Sequence, residues 1–402
     1  MGPTDRRLLA LNDGVTRHGP QTVHLDVTNT CNTNCVTCWD HSPHLDQPRS
    51  SAWKRQRVDV SAIAALLDDI QSLDQQGDDD DDDDDDGGTR LQSVIVSGMG
   101  EPFTHPDIYA LIKDIQRRGL HLTIITNLVA ADVDRVVALG VDVLLVGVQG
   151  ASEQSYLAFH PNFLPSHWAQ LNQQLERLAD EPTIAVKQVQ VICATNAHEL
   201  PAMIELAART HAAQVNFKLA SLKEGTQAVA LSPAQREQLI TSGVAEAMKR
   251  AAALGVTTNL AVFHEQLRAS AAGGDEDGGA TAPIEDIGCF VGAFYARVTV
   301  EGTVLYCCNT EVVVGSLQTL PFSAWWRSAR WEHWRRRMRE GRYLESCRQC
   351  GKLNQNAAWS QRFKARFGAE AWQAVTGRGP PSSSSPASSP SSKRSRSLRV
   401  LS

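Results

Sequence analysis

The sequence predicts an α/β fold built on a parallel sheet, followed by a second, smaller domain of different architecture. Three observations carry this. Short β-rich runs alternate with helical runs through the first 220 residues, a Gly, Asp and Ala stretch from Ala271 to Thr281 interrupts the chain, and a hairpin pattern follows it. The expected strands are Val23 to Val27, Leu91 to Ser97, Leu120 to Thr126, Asp142 to Val148, Lys187 to Cys193 and Gln214 to Leu219. Between them Val60, Ile63, Leu67 and Ile70 recur at helical spacing, as do Ile108, Leu111, Ile112 and Ile115 after Pro106. One further helix ends at Gly140, and another covers Pro201 to Ala208. Six βα units in succession require a parallel sheet, either open and doubly wound or closed as a (β/α) barrel. Ser232 to Leu254 reads as one long helix, opened by Ser-Pro and closed by Gly255, that leads into a seventh strand around Thr257 to Phe263. From Phe294 the pattern is a hairpin, Arg297 to Val300 and Thr303 to Cys307, turning at Glu301-Gly302. The chain closes with a helix near residues 357 to 373 and a Ser/Pro tail too polar to pack.

Composition narrows the function classes. The formal charge of the 402 residues is -6, but Asp78 to Asp86 is an unbroken acidic run, without which the balance would be +3. That run repels itself and reads as a solvated insertion. The tail is basic, and the remainder is close to neutral, so neither a nucleic-acid nor a membrane footprint is visible. No apolar run approaches the ~18 residues that span a bilayer, and the charged start MGPTDRRLLALNDG is no signal peptide. The expectation is a cytoplasmic protein whose 9 cysteines serve metal binding or chemistry rather than disulfides.

Directly after the first strand Cys31, Cys35 and Cys38 form a CxxxCxxC loop. Three thiolates on one loop can hold three corners of an iron-sulfur cluster and leave the fourth iron open to a ligand, whereas structural zinc wants four closed ligands. After the second strand stands Ser97-Gly98-Met99-Gly100-Glu101-Pro102. Its glycines permit close backbone approach, and its carboxylate can accept from an ammonium group. Both segments fall at the carboxyl ends of strands, where βα barrels carry their active sites; by the same argument Asn127 and Gln149 face that mouth. The alternative for those two is a turn ending each strand.

With these motifs the region from about Gln21 to Leu219 resembles the radical S-adenosylmethionine superfamily. The resemblance implies a partial (β/α)6 TIM-like barrel in which Cys31, Cys35 and Cys38 ligate a [4Fe-4S] cluster whose open iron binds the methionine moiety of S-adenosylmethionine. It also implies that Gly98, Gly100, Glu101 and Pro102 form the family's GGEP segment, which holds the cofactor's amino group, with Asn127 and Gln149 as further cofactor contacts. Met99 replaces the second glycine of that segment, Thr37 stands where an aromatic residue usually precedes the third cysteine, and Val146 and Gln149 replace the usual Ser and Asp of strand four.

The second cysteine set comprises Cys289, Cys307 in a GxxxxC pattern from Gly302, and the Cys347-Arg348-Gln349-Cys350 pair. Four thiolates close either a [4Fe-4S] or a zinc site. This region resembles the SPASM and Twitch auxiliary-cluster domains, also through Gly315-Ser316-Leu317 and Trp326-Arg327-Ser328. No cysteine follows Cys350, which favours the one-cluster Twitch form, a small α+β domain placed at the barrel mouth. Adjacent strand residues point to opposite faces, so one of Cys307 and Cys308 reaches the cluster, and the spacing selects Cys307. Cys193 reads as a small buried hydrophobe. The Trp325 to Arg339 stretch reads as a packed surface helix, with nucleic-acid stacking as the alternative.

The resemblance thus implies an enzyme that reductively cleaves S-adenosylmethionine and abstracts a hydrogen atom from substrate, with the auxiliary [4Fe-4S] cluster as electron acceptor and flavodoxin or ferredoxin as electron donor. An oxidoreductase acting on a small molecule is favoured, because only about 20 residues precede the first strand, too few for a leader-peptide domain. A peptide-modifying maturase and a non-enzymatic iron-sulfur or zinc protein that binds nucleic acid are the alternatives. The expected organisation is an N-terminal extension at 1–20, the barrel core at 21–222 with an acidic insertion at 74–90, a helical bridge and linker at 223–285, the auxiliary domain at 286–376 and the tail at 377–402.

Overall fold

The computed structural model describes residues 3–12, 18–73, 90–271 and 284–377. The Asp78 to Asp86 run, most of the Ala271 to Thr281 stretch and the Ser/Pro tail lie outside the described residues. Six strands, β1 Thr22–Asp26, β2 Ser93–Ser97, β3 His121–Thr126, β4 Val143–Gly147, β5 Ala185–Ile192 and β6 Gln214–Leu219, pair in parallel, each with its successor in the chain. Because the order never reverses, the winding is that of a barrel and not of a doubly wound sheet. Three more strands, β7 Tyr295–Val298, β8 Thr303–Leu305 and β9 Val313–Ser316, extend the same sheet from β1, giving the order β6-β5-β4-β3-β2-β1-β7-β8-β9. Its edges, β6 and β9, do not pair, so the barrel is partial.

Alternation along the strands divides the side chains between helices and lumen. Val23, Leu25, Val94, Val96, Leu122, Ile124, Leu144 and Val146 are buried against Ile63, Leu67 and Ile70 of helix Val60–Ser72 and Ile108, Leu111, Ile112 and Ile115 of helix Ile108–Arg117. Each such side chain contributes roughly 1.5 to 3 kcal/mol of burial. Asp59 caps the first of these helices by accepting from the Ser61 N–H, and Gly140 closes helix Val133–Leu139 at φ 69°, a left-handed conformation that glycine adopts without strain. The lumen side is polar: His24, Asp26 and Ser97 face inward from β1 and β2.

Two expected elements differ. Thr257 to Phe263 is not a strand. Thr258 forms a single bridge to Val215, the Asn259 side chain then bonds the N–H and C=O of Phe217 at 2.7 and 2.9 Å, and a helix runs from Leu260 to Ala271. Leu260, Phe263 and Leu267 are buried at helical spacing, so the apolar run that suggested a strand is one face of a helix. The long helix from Ser232 is interrupted: Pro233–Gln238 passes through a wide π-type turn at Leu239–Gly243 into Val244–Leu254, closed by Gly255 at φ 67°.

The tryptophan-arginine stretch packs inward. Trp326 and Trp331 are buried, the Trp331 indole N–H and the Arg335 Nε both donate to the Gly292 carbonyl, and the Arg335 guanidinium lies over the Trp326 ring. Those rings form core and not a stacking platform. No helix among the described residues is long and apolar enough to cross a membrane.

Candidate active site

The site begins where β1 ends. Cys31, Cys35 and Cys38 sit on the loop that follows it, and this loop is clamped to the segment after β2. The Gly100 and Glu101 N–H groups donate to the Thr28 and Thr30 carbonyls at 3.1 and 2.8 Å. The clamp explains the two glycines. A Cβ on Gly98 would meet the Thr28 oxygen at 2.2 Å, and one on Gly100 the Thr30 oxygen at 2.0 Å. What approaches these glycines closely is the cysteine loop's own backbone. Gly100→Ala should therefore displace the loop, and reconstituted protein carrying it should hold markedly less iron at the first site, read as iron per chain.

Burial raises all three thiols, Cys31 to about 12, and the charge of Cys38 raises Cys31 and Cys35 further. The Asp40 and His41 N–H groups point at the Cys38 sulfur, 3.5 and 3.3 Å away, a polarity that favours a thiolate. Among the described residues no three His, Cys, Asp or Glu side chains stand close enough together to hold one metal ion. An iron-sulfur cluster takes its thiolates on separate irons, so the donor set fits a cluster.

Glu101 is buried at the base of this loop. Its Oε1 accepts from the Thr126 hydroxyl at 2.6 Å and the Phe103 N–H at 3.1 Å, and its Oε2 accepts from the Asn127 N–H at 2.7 Å. Burial pushes this carboxyl up to about 7 in spite of those donors. A carboxylate has about four lone-pair positions, so Oε2 retains one for an ammonium group. Pro102 is buried and opens the short turn that holds Glu101 in place. The Asn127 amide donates to the Asn32 side chain at 2.8 Å, which ties β3 to the cysteine loop. Gln149, at φ 64°, is engaged elsewhere: its side chain accepts from the Val191 N–H, and its carbonyl accepts from the Asn196 amide. Trp39, next to the last cysteine, donates to the Ser221 carbonyl at 2.8 Å and lies under the Lys223 ammonium.

The second set assembles around the β7–β8 hairpin. Cys289 and Cys307 pack against Tyr295, Phe290 and Trp359, and Cys347 and Cys350 lie within electrostatic reach of Cys289. The Asn309 N–H points at the Cys307 sulfur at 3.4 Å and the Asn356 amide at the Cys350 sulfur at 3.7 Å. These donors also suit thiolates that ligate a cluster. Cys308 lies with this set as well: β8 ends at Leu305, so Cys307 and Cys308 are not alternating strand residues, the Cys308 thiol is within electrostatic reach of Cys289, Cys347 and Cys350, and its hydrogen bond with Cys307 brings it down to about 6. Cys193 is buried with Val36, Phe159 and Ala220.

The expected placement of this domain at the barrel mouth is corrected by strand register. β8 runs back against β7 with Leu305 opposite Arg297, so the chain reaches Cys307 at the level of Tyr295, which pairs with Thr22 at the start of β1. The two cysteine sets lie toward opposite ends of β1, with the lumen between them. That lumen holds groups the sequence reading missed. Arg297 reaches Asp26 at 2.8 and 3.0 Å and also donates to the Cys308 carbonyl at 3.2 Å. His24 bridges the Tyr295 hydroxyl at 2.8 Å and the Ser97 hydroxyl at 2.5 Å. Lys218 enters from β6 and Lys352 from beyond the CxxC pair. A signal existed for Lys218, which alternates with the buried Val215 and Phe217. An apolar cavity of about 240 Å³ near Ile63, Leu66 and Val300 lies on the helix side of β1, outside the lumen.

Comparison with known proteins agrees with this architecture. The SPASM iron-sulfur cluster-binding domain matches residues 289–351. The chain is 24% identical to the AdoMet-dependent heme synthase of Methanosarcina barkeri over 78% of its length and 83% of that protein. It is also 24% identical to the S-adenosyl-L-methionine-dependent tRNA 4-demethylwyosine synthase of Oryza sativa subsp. japonica, over 44% of this chain and only 27% of the rice protein. In fold it is similar to anSMEcpe with bound AdoMet, at TM-score 0.56 and 10% identity, covering 86% of this chain and 97% of that one. Streptococcus suis SuiB bound to S-adenosylmethionine superposes at TM-score 0.54 and 10% identity, over 82% and 71% of the two chains. The chain is thus similar to radical S-adenosylmethionine enzymes and carries a match to the SPASM domain near its C-terminus. Such proteins bind S-adenosylmethionine and [4Fe-4S] clusters, an auxiliary cluster among them.

Proposed function

We propose that this chain is an oxidoreductase in which Cys31, Cys35 and Cys38 hold the S-adenosylmethionine-binding cluster, Cys289, Cys307, Cys347 and Cys350 hold an auxiliary cluster, and the substrate binds in the lumen between them. The observation that carries this reading is the clamp of the cysteine loop onto the glycine segment, with the Glu101 carboxylate buried beside it. When bound, the reduced cluster and S-adenosylmethionine supply a 5′-deoxyadenosyl radical that takes a hydrogen atom from substrate. The protein's own groups position and enclose. Glu101 accepts from the cofactor's ammonium group, Asn127 fixes Glu101 against the cysteine loop, and Gly98 and Gly100 let the two loops meet. Pro102, the buried start of the following turn, keeps Glu101 in register. Gln149 supports the cofactor pocket through the β4–β5 junction it bridges. The helix layer closes the lumen wall to water. All four auxiliary thiols are engaged in ligation, which suits that cluster to accept the electron a substrate radical must lose, while flavodoxin or ferredoxin supplies the first electron from the cytoplasm.

A small molecule is the favoured substrate, since the lumen is lined by individually placed polar groups. A peptide is the second reading, favoured by the likeness in fold to SuiB, whose structure is also known bound to its precursor peptide SuiA. Anaerobically reduced enzyme incubated with extracts of its own organism separates the two: 5′-deoxyadenosine formation should depend on a fraction that passes a small-molecule filter. Dependence on the retained fraction would select the peptide reading.

Glu101 adds a pH dependence. It accepts from an ammonium group only when ionised, and in the folded protein it titrates at about 7. Affinity for S-adenosylmethionine should fall as pH drops through that value, and the fall should vanish in Glu101→Gln. Calorimetric titration across neutral pH checks both.

A further inference from the structure

Two links run from β7 of the auxiliary hairpin to the glycine segment that follows β2. The first is a chain of buried side chains. The Tyr295 hydroxyl meets His24 Nδ1 at 2.8 Å, His24 Nε2 meets the Ser97 hydroxyl at 2.5 Å, and that hydroxyl meets Asp26 Oδ1 at 3.2 Å. Burial and the charges of Arg297 and Lys352 hold His24 well below its usual range, so the ring is neutral and carries one N–H. Arg297 occupies Asp26 Oδ2, and Ser97 is the donor to Oδ1. Ser97 therefore accepts from His24 Nε2–H, and His24 Nδ1 accepts from Tyr295. Every donor in the chain points the same way, from β7 through β1 to β2. The second link is Arg297, whose Nη2 reaches the Met99 sulfur at 3.8 Å while its Nη1 donates to the Cys308 carbonyl at 3.2 Å. Ser97 and Met99 flank Gly98, and a Cβ on Gly98 would stand 2.2 Å from the Thr28 oxygen. The segment thus has no slack toward the cysteine loop, and a shift at either flank is passed on to Gly100 and Glu101.

We propose that Tyr295 and Arg297 of the auxiliary hairpin are positioning residues of the S-adenosylmethionine site, acting on its glycine segment through His24 and Ser97 in one case and through Met99 in the other. This rests on the function proposed above and adds to its cofactor site residues from the second domain. It also gives Met99 a role where the GGEP segment has glycine: a glycine there would leave Arg297 nothing to hold. Ser97 is fixed twice, its carbonyl by the Val27 N–H at 2.9 Å and its hydroxyl by His24 and Asp26, and both of those side chains are in turn held by β7. The competing role is purely structural, in which the same bonds fasten β7 to β1 and leave the cofactor site indifferent to them.

The test uses the anaerobically reconstituted full chain, titrated with S-adenosylmethionine by calorimetry. Tyr295→Phe removes only the hydroxyl and keeps the ring over which the Lys352 ammonium lies at 4.3 Å. Ser97→Ala removes the far end of the same chain, and Met99→Leu keeps the volume but gives up the sulfur. Tyr295→Phe and Ser97→Ala should each weaken S-adenosylmethionine binding at least about threefold, the effect of one hydrogen bond, with iron content equal to wild type. The double variant should bind no more weakly than the weaker single, because both changes break one chain. Met99→Leu should cost less, about twofold, and its effect should add to that of Tyr295→Phe, because it lies on the other link. A merely structural role moves the thermal midpoint of these variants and leaves their affinity alone, or lowers affinity additively in the Tyr295 and Ser97 pair; either result would overturn the proposal. Wild type that binds S-adenosylmethionine beside variants that bind it equally well defeats this proposal alone, whereas wild type that does not bind it defeats the functional reading and this proposal together.

Discussion

Replacing Cys31, Cys35 and Cys38 together by Ala should abolish reductive cleavage of S-adenosylmethionine and lower the iron content of reconstituted protein from about eight to about four per chain. The loop carrying these residues is held by backbone hydrogen bonds from Gly100 and Glu101 to the Thr28 and Thr30 carbonyls, none of which depends on a thiol. The barrel should therefore fold without them. The auxiliary cysteines gather around the β7–β8 hairpin, away from the Cys31 loop, and should keep their iron. Chromatography of 5′-deoxyadenosine together with an iron assay reads both parts. Continued formation of 5′-deoxyadenosine would remove the loop from the chemistry.

The second large effect separates cleavage from oxidation. Cys347→Ala combined with Cys350→Ala removes half of the auxiliary ligands while leaving the Cys31 loop, Glu101 and the lumen residues of β1 to β6 in place. Substrate-triggered 5′-deoxyadenosine should persist at a measurable rate, whereas oxidised product should fall by at least about tenfold more, since a substrate radical with no electron acceptor is diverted to other fates. Product per 5′-deoxyadenosine is the quantity to follow. An equal loss of both in a folded variant would assign the auxiliary domain a structural role, in keeping with the burial of Cys289 and Cys307 against Tyr295 and Trp359.

The parts of this arrangement that were legible in the sequence are those governed by local spacing. β6 was expected at Gln214 to Leu219 and is found there, and the other five barrel strands fall within a few residues of their expected limits, because apolar runs bounded by turn residues define them. Cysteines four and three residues apart on one loop declare themselves in the same way. What spacing could not show was long-range register. The hairpin was expected, but its parallel pairing of β7 with β1, which moves the auxiliary cysteines away from the mouth, depends on contacts between residues 22–25 and 295–298. The glycines of the second segment illustrate the same limit: their residue type was informative, but the backbone that crowds them comes from Thr28 and Thr30. Lys218, Lys352 and the Asp26–Arg297 pair went unnoticed because each is unremarkable in its own segment and acquires meaning only where the segments converge. The Thr257 to Phe263 error was local, a short apolar run that fits a strand and a helix face equally well.

The central claim is that one cluster in this chain has an iron open to S-adenosylmethionine and the other does not. Electron paramagnetic resonance of the reconstituted protein, reduced with and without S-adenosylmethionine, tests it directly. Two cluster signals are expected, of which one shifts when the cofactor is added and is missing from the Cys31, Cys35 and Cys38 variant, while the other is unaffected in both experiments. A single cluster signal, or two signals that are both indifferent to S-adenosylmethionine, would contradict the account.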